Sequence, residues 1–391
     1  MKVVVAIDSL KDSLTSYEAG KAIEQGIRQA HKTGNVHVVV KALADGGEGT
    51  VDALVTGMSG ENRVAEVTGP LQQSVACTYG YLPDSNTAII EMAGASGLGL
   101  VRAESRNPLY TTTFGVGQVI RQAVEEGIRH FIIGIGGSAT NDCGVGMLQA
   151  LGYRFLDDKG QPVGFGGKVL QDIVRMDDSD ALPELADCQF KIACDVNNPL
   201  YGSNGAAAVF GPQKGATPEI VVALDEGARN FAAVVASYYG QDLAKQPGAG
   251  AAGGLGFAFL SFLKGELGSG IELIVEAIDL ANDLKDADYV VTGEGRLDFQ
   301  TTMGKAPVGV AKLAQSYGVK VIALAGSTTD DARECNNCGI DAYFSIVNGA
   351  MSLKEAMDKN VAKKNMIQTA EQVFRLILTS ERLAASAVAL S

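Results

Sequence analysis

The sequence predicts an α/β protein: a doubly wound, Rossmann-like domain of parallel sheet built from both chain ends, with a second α/β domain of mixed sheet inserted between them. Three observations predict this. Near both ends, short apolar runs without alternation, such as "KVVVAI" and "KVIALAG", alternate with helical patterns, as buried parallel strands do. In between, "RVAEVTG", "SVACTYGYL" and "TAIIEM" follow one another with only turn signals separating them, which is a meander. The chain has 391 residues and is 46% apolar, enough for two domains with a large core.

In order, "KVVVAID" opens as a buried strand. A helix follows, with a capping-box pattern at Thr15 and Glu18 and with Ala19, Ala22, Ile23, Gly26, Ile27 and Ala30 on one face. "VHVVVKAL" is the next strand and "VDALVTG" the next helix, which completes residues 1–64 of the first domain. Residues 65–271 form the inserted domain: the meander, a helix over 113–127, the strand "HFIIGI", the loop "GIGGSATNDCG", a helix in "VGMLQALG", the strand "FKIACDV" and a helix over 218–239. The run "QPGAGAAGGLGFAFL" is Gly/Ala-rich and then helical. Residues 272–380 return to the first domain through "ADYVVTGEG", a helix over 303–317, "VKVIALAG", "DAYFSIVNG" and a helix over 363–378. The tail, 381–391, lacks turn signals and stays unassigned.

A net charge of −13 argues against nucleic acid or an anionic membrane as a partner. No apolar stretch reaches the roughly 18 residues that span a bilayer, and the N-terminal apolar run meets Asp8 too early for a secretory leader. The expected compartment is the cytoplasm, and the expected state a monomer or homodimer. Cys335 and Cys338 form a C-x-x-C with no second pair nearby, which reads as two reduced thiols.

Ligands of open α/β sheets bind beyond the carboxyl ends of the strands. The residues there are Asp8, Ser9 and Lys11; Asp45, Gly46, Gly47 and Glu48; Gly136, Gly137, Ser138, Thr140, Asn141 and Asp142; Asp195, Asn197 and Asn198; Glu294, Arg296 and Asp298; and Ser327. A helix cap needs one small polar residue, not repeated Asp, Glu and Gly. Converging carboxylates repel unless a cation lies among them, and Mg²⁺ uses one or two carboxylates together with substrate phosphates.

The loop Gly134–Gly144 poses the main choice. Its Gly134-Ile-Gly136-Gly137-Ser138-Ala139 fits the dinucleotide pattern G-x-G-x-x-A, with Asp157-Asp158 about twenty residues on. A nicotinamide-dependent dehydrogenase is nevertheless disfavoured. Asp142 would oppose a pyrophosphate at the helix N-terminus. His31, His37 and His130 all fall outside the strand-end loops, and Asp157-Asp158 before Lys159-Gly160 reads as a hairpin turn. A P-loop is absent as such, because Gly304-Lys305 lacks the preceding spacing and the following hydroxyl. A non-catalytic binding module remains as an alternative, although a binder of anions gains nothing from so many aspartates.

Eight motifs then stand together: "AIDSLKDSLTS", "ADGGEGT", "EMAGASGL", "GIGGSATNDCGVGML", "CDVNNPL", "GSNGAAAVFGPQKGA", "GEGRLD" and "GKAPVGVA". In this order they resemble the class I glycerate kinase family of bacteria. The resemblance implies ATP-dependent phosphorylation of D-glycerate with Mg²⁺, giving 2-phosphoglycerate, with the 3-phosphate as the alternative product. On that basis Gly136, Gly137, Ser138, Thr140 and Asn141, with Gly46 and Gly47, are expected to cradle nucleotide phosphate, with Lys11 and Arg296 supplying cations. Arg296 is also expected on the glycerate carboxylate, with Asp8, Ser9, Asn197 and Asn198 around the substrate. Asp195, then Asp298, are the candidates for proton acceptor, Lys11 is placed with the catalytic groups, and Asp45, Glu48, Asp142 and Glu294 are the metal candidates. Which loop holds ATP and which holds glycerate stays open.

Overall fold

The computed structural model describes residues 1–31, 36–44 and 49–388. Asp45, Gly46, Gly47 and Glu48, expected at the phosphates and the metal, lie outside the described residues. The chain forms two compact units, one of 1–45, 56–58 and 274–391, the other of 46–55 and 59–273.

The first unit is built on a five-stranded parallel sheet. Across it the strands run Ala342–Ser345, Lys320–Thr328, Tyr289–Leu297, Lys2–Ile7 and His37–Ala42. Val3, Val4, Val5, Ala6 and Ile7 are all fully buried, as expected of a strand covered on both faces. On one face the helix Ser16–Ala30 packs against the long helix Lys359–Val388. Thr15 and Glu18 close the expected capping box, each accepting from the other's N–H at 3.2 Å.

Two segments differ from the sequence reading. "GEGRLD" was expected as a loop, yet the strand continues to Leu297, with Arg296 paired to Ser327. Gly293 makes this possible: with φ +156, a Cβ there would lie 1.8 Å from the Leu324 carbonyl oxygen, so only glycine fits. The final helix also runs on to Val388, through "TSERLAASAV", which has no breaker and is rich in good helix formers.

The second unit has a mixed six-stranded sheet in the order Glu266–Gly268, Gln189–Ala193, His130–Gly134, Thr87–Glu91, Ser74–Leu82, Glu61–Thr68. The first four strands are parallel and the last two continue as the antiparallel meander. Helix Pro218–Tyr239 begins at the Thr217 cap. The Asp157 carboxylate accepts from Lys159 and Gln161 N–H at 2.9 and 2.8 Å, so the acidic pair makes the tight turn its sequence suggests.

Candidate active site

In each unit, polar groups collect beyond the carboxyl ends of adjacent parallel strands. In the first unit they line a cavity of about 450 Å³. Asp8, Ser9 and Lys11 come from the loop after Lys2–Ile7, and Glu294 and Arg296 from the end of the neighbouring strand. Asp298 and Lys305 follow that strand, and Ser327 stands on the next. The carboxylates are held by local donors. Asp8 accepts from Ser9 N–H at 2.6 Å, Glu294 from the Thr301 hydroxyl at 2.6 Å, and Asp298 from Gln300 N–H at 2.9 Å. Asp298 is thereby the cap of the short helix Phe299–Thr302, with Arg296 3.7 Å away. Lys305 stands 3.8 Å from Glu294. Sequence reasoning met Lys305 only as a failed P-loop lysine and did not read it as a site residue.

In the second unit the loop after His130–Gly134 lies beside the one after Gln189–Ala193, because Gly134 pairs with Ala193 across the sheet. Gly136 and Gly137 are exposed, while Ser138, Thr140, Asn141 and Asp142 turn inward and are buried. The helix that follows, Val145–Ala150, is short, and Asp142 already takes up its N-terminus. The Asp142 carboxylate accepts from Thr113 N–H at 2.8 Å, the Thr113 hydroxyl at 2.9 Å, Gly144 N–H at 3.2 Å and Gly146 N–H at 3.3 Å. Asp142, expected among the metal candidates, thus braces the loop through four protein donors and takes up N–H groups at the start of that helix. Burial pushes its carboxyl above the usual range, against the pull of those donors.

The loop carries its own cation, which the sequence reading missed. Lys214, from "GPQKGA", is only 2% exposed and donates to the Ser138 hydroxyl at 2.7 Å and the Thr140 carbonyl at 2.6 Å. Burial lowers its ammonium from the ordinary 10.5 to about 7, with the Asp142 charge opposing the shift. The signal was present, a lone Lys between glycines in a quoted motif, but it follows no strand and so escaped a search of strand ends.

A second glycine-rich segment locks this loop. In Ala251–Phe262, Ala252, Gly253 and Gly254 are left-handed, at φ +52, +71 and +90. Gly253 accepts from Cys143 N–H at 3.0 Å, and a Cβ on it would lie 2.0 Å from the Thr140 carbonyl oxygen. The "GAGAAGGLG" run thus has a purpose in close backbone packing. Thr111 and Ser96 tie the loop from the other side, the Thr111 hydroxyl donating to the Ala139 carbonyl at 2.8 Å and the Ser96 carbonyl accepting from Ala139 N–H at 2.9 Å. Thr140 Oγ1 and both amide atoms of Asn141 are buried with no hydrogen-bond partner among the described residues, unspent capacity within the stretch where the loop was expected to bind.

Asp195 is exposed and accepts from Gly270 N–H at 3.0 Å, at the start of helix Gly270–Ala277. Asn198 donates to the Asn204 carbonyl at 2.8 Å, and Asn197 is exposed. Among the described residues, no group of three or more His, Cys, Asp or Glu side chains is placed to hold a metal, and no helix is long and apolar enough to cross a membrane.

A parallel-sheet unit and a mixed-sheet unit, each gathering polar and charged groups at its strand ends, suit a phosphotransferase of small molecules. The comparisons agree. Residues 3–378 match the model of the glycerate kinase family. A glycerate kinase of Halalkalibacterium halodurans is 48% identical, over 91% of this chain and 93% of its own length. A glycerate 2-kinase of Escherichia coli K12 is also 48% identical, over 91% and 93%. A crystal structure from Salmonella typhimurium LT2, provisionally assigned as a glycerate kinase 2, superposes with a TM-score of 0.90 at 45% identity, covering 98% of this chain and 99% of that one. The chain belongs to the glycerate kinase family and is a kinase enzyme.

Proposed function

We propose that this enzyme transfers the γ-phosphoryl group of ATP to the 2-hydroxyl of D-glycerate, giving 2-phosphoglycerate and ADP. Family membership over residues 3–378 supports the reaction. The position rests on the Escherichia coli relative named a glycerate 2-kinase, at 48% identity over 91% of the chain.

In the step itself, the hydroxyl oxygen bonds to the γ-phosphorus and the bond to the β,γ-bridging oxygen breaks. ADP leaves, and the hydroxyl proton passes to a carboxylate. Asp195 is our choice for that acceptor, since Gly270 N–H holds one oxygen at 3.0 Å and the residue is exposed. The loop Gly136–Asn141 acts as an anion cradle: exposed glycine backbone above, the Lys214 ammonium beneath. We assign it to the glycerate carboxylate, in place of the nucleotide phosphate first expected there, because the buried Lys214 supplies the cation that a carboxylate needs. Phosphoryl transfer needs positioning and charge neutralisation more than covalent help. Among the described residues, Asp8, Glu294 and Asp298 are the carboxylates of the cavity wall that would hold Mg²⁺, which when bound with the phosphates would offset their charge.

A coupled assay of ADP release with ATP, Mg²⁺ and D-glycerate, with EDTA as control, tests the reading. Glycerate-dependent ADP release that EDTA abolishes is the expected result. Release no greater than without glycerate, at millimolar substrate, would remove it.

A further inference from the structure

The geometry points to the cavity of the first unit as the nucleoside-phosphate site, with the base against Ile346, Val347, Leu353 and Met357 and the phosphates at Lys11, Arg296 and Lys305. This rests on the reading that the enzyme is an ATP-dependent kinase, and it names the place of the donor.

Size comes first. A cavity of about 450 Å³ lies within the range of roughly 300–1,000 Å³ typical of cofactor sites. Glycerate, a three-carbon acid, would leave most of it empty.

Polarity follows the sheet. The order of strands, Ala342–Ser345, Lys320–Thr328, Tyr289–Leu297, Lys2–Ile7, is also the order of the lining. Beyond the outermost strand come Ile346 and Val347, and from the next short helix, Leu353–Ala356, and its C-terminal cap come Leu353 and Met357. At the end of one inner strand stands Arg296, and beyond the other comes Lys11. The lining therefore runs from apolar to cationic over three inter-strand spacings, about 14 Å. A nucleoside phosphate is a molecule of that form, an apolar base at one end and anions at the other. Leu353 is 75% exposed in the free protein, and an exposed large apolar side chain at the wall of a cavity is informative where one elsewhere on the surface is not. The acidic groups of the lining do not defeat anion binding, because Asp8, Glu294 and Asp298 each accept from a local donor and two of them stand within 4 Å of a cation, at 3.7 and 3.8 Å.

The test uses the full-length protein and two probes, ADP and D-glycerate, with both binding and steady-state kinetics. Leu353→Asp places a carboxylate on the base wall. It sits in the first helical turn behind the Ser352 cap, where an acidic residue favours the helix, so the fold should hold. Lys11→Met removes a phosphate cation. Each variant should raise KM for ATP and Kd for ADP about tenfold or more, with KM for D-glycerate within about twofold of wild type. A rise in KM for D-glycerate with that for ATP unchanged would overturn the assignment, as would wild-type values for both substrates in both variants. Wild-type turnover of D-glycerate checks the underlying reading separately. If the wild type fails to phosphorylate glycerate yet binds ADP, and the variants lose that binding, the site stands and the reaction falls.

Discussion

Replacing Lys214 by Met should change stability in a way that depends on pH. The lysine is buried, and its ammonium titrates near 7 in the folded chain against 10.5 when exposed. Between those values the unfolded chain holds a proton that the native chain has released. Wild-type stability therefore rises with pH across this window, by up to about 1.4 kcal/mol per unit from this one group. Below pH 7 both states are protonated, and the cost of burying the charge, about 5 kcal/mol in total, is fully present. Lys214→Met has no such group and no such slope. It also loses the bonds to the Ser138 hydroxyl and Thr140 carbonyl, at 2.7 and 2.6 Å, in every condition where the lysine makes them. The variant should be close to wild type at about pH 6, where relief from the buried charge offsets those bonds. By about pH 9 it should have fallen behind by a further 2–3 kcal/mol or so. Urea unfolding of both proteins at several pH values measures the difference directly, and the titrations common to both cancel. A stability difference that stays constant from about pH 6 to 9 would refute the reasoning and mean that Lys214 keeps its proton throughout.

Two further substitutions test the second unit. Asp195→Asn should lower kcat by about 10²–10⁴ while ADP affinity and melting temperature hold, as the amide keeps the turn; a kcat near wild type would take Asp195 out of the mechanism. Gly253→Ala puts a Cβ 2.0 Å from the Thr140 carbonyl oxygen at a φ of +71, and should cost more than about 3 kcal/mol in urea unfolding together with most of the activity. Near-normal stability there would show that the left-handed segment does not lock the loop.

Much of the fold was legible because burial on both sheet faces leaves a plain mark. "KVVVAI" and "KVIALAG" read as inner strands, and their residues have almost no exposed surface apart from the leading lysines and the glycine. The meander read equally well from its turns. What failed was local in a different sense. "GEGRL" looks like a loop because glycine usually marks one, whereas here Gly293 is needed for close approach within the sheet. The placement of polar groups just past a strand was legible, as at Asp8 and Asp195. It was illegible where it depends on tertiary approach. Lys214 reaches Ser138 across 76 positions of chain, and Asp142 meets Thr113 across 29. No spacing rule links such pairs. The same holds for the apolar wall of Ile346, Val347, Leu353 and Met357, which becomes a wall only through the order of the strands beneath it.

The central claim is the identity of the product, and phosphorus NMR of the reaction mixture tests it most directly. With ATP, Mg²⁺ and D-glycerate, a phosphate on C2 couples to a single methine proton, while one on C3 couples to two methylene protons. We expect a new phosphomonoester signal that is a doublet in the proton-coupled spectrum and grows as ATP is consumed. A triplet would assign the 3-phosphate instead, and the absence of any new phosphomonoester signal would contradict the kinase reading for this substrate.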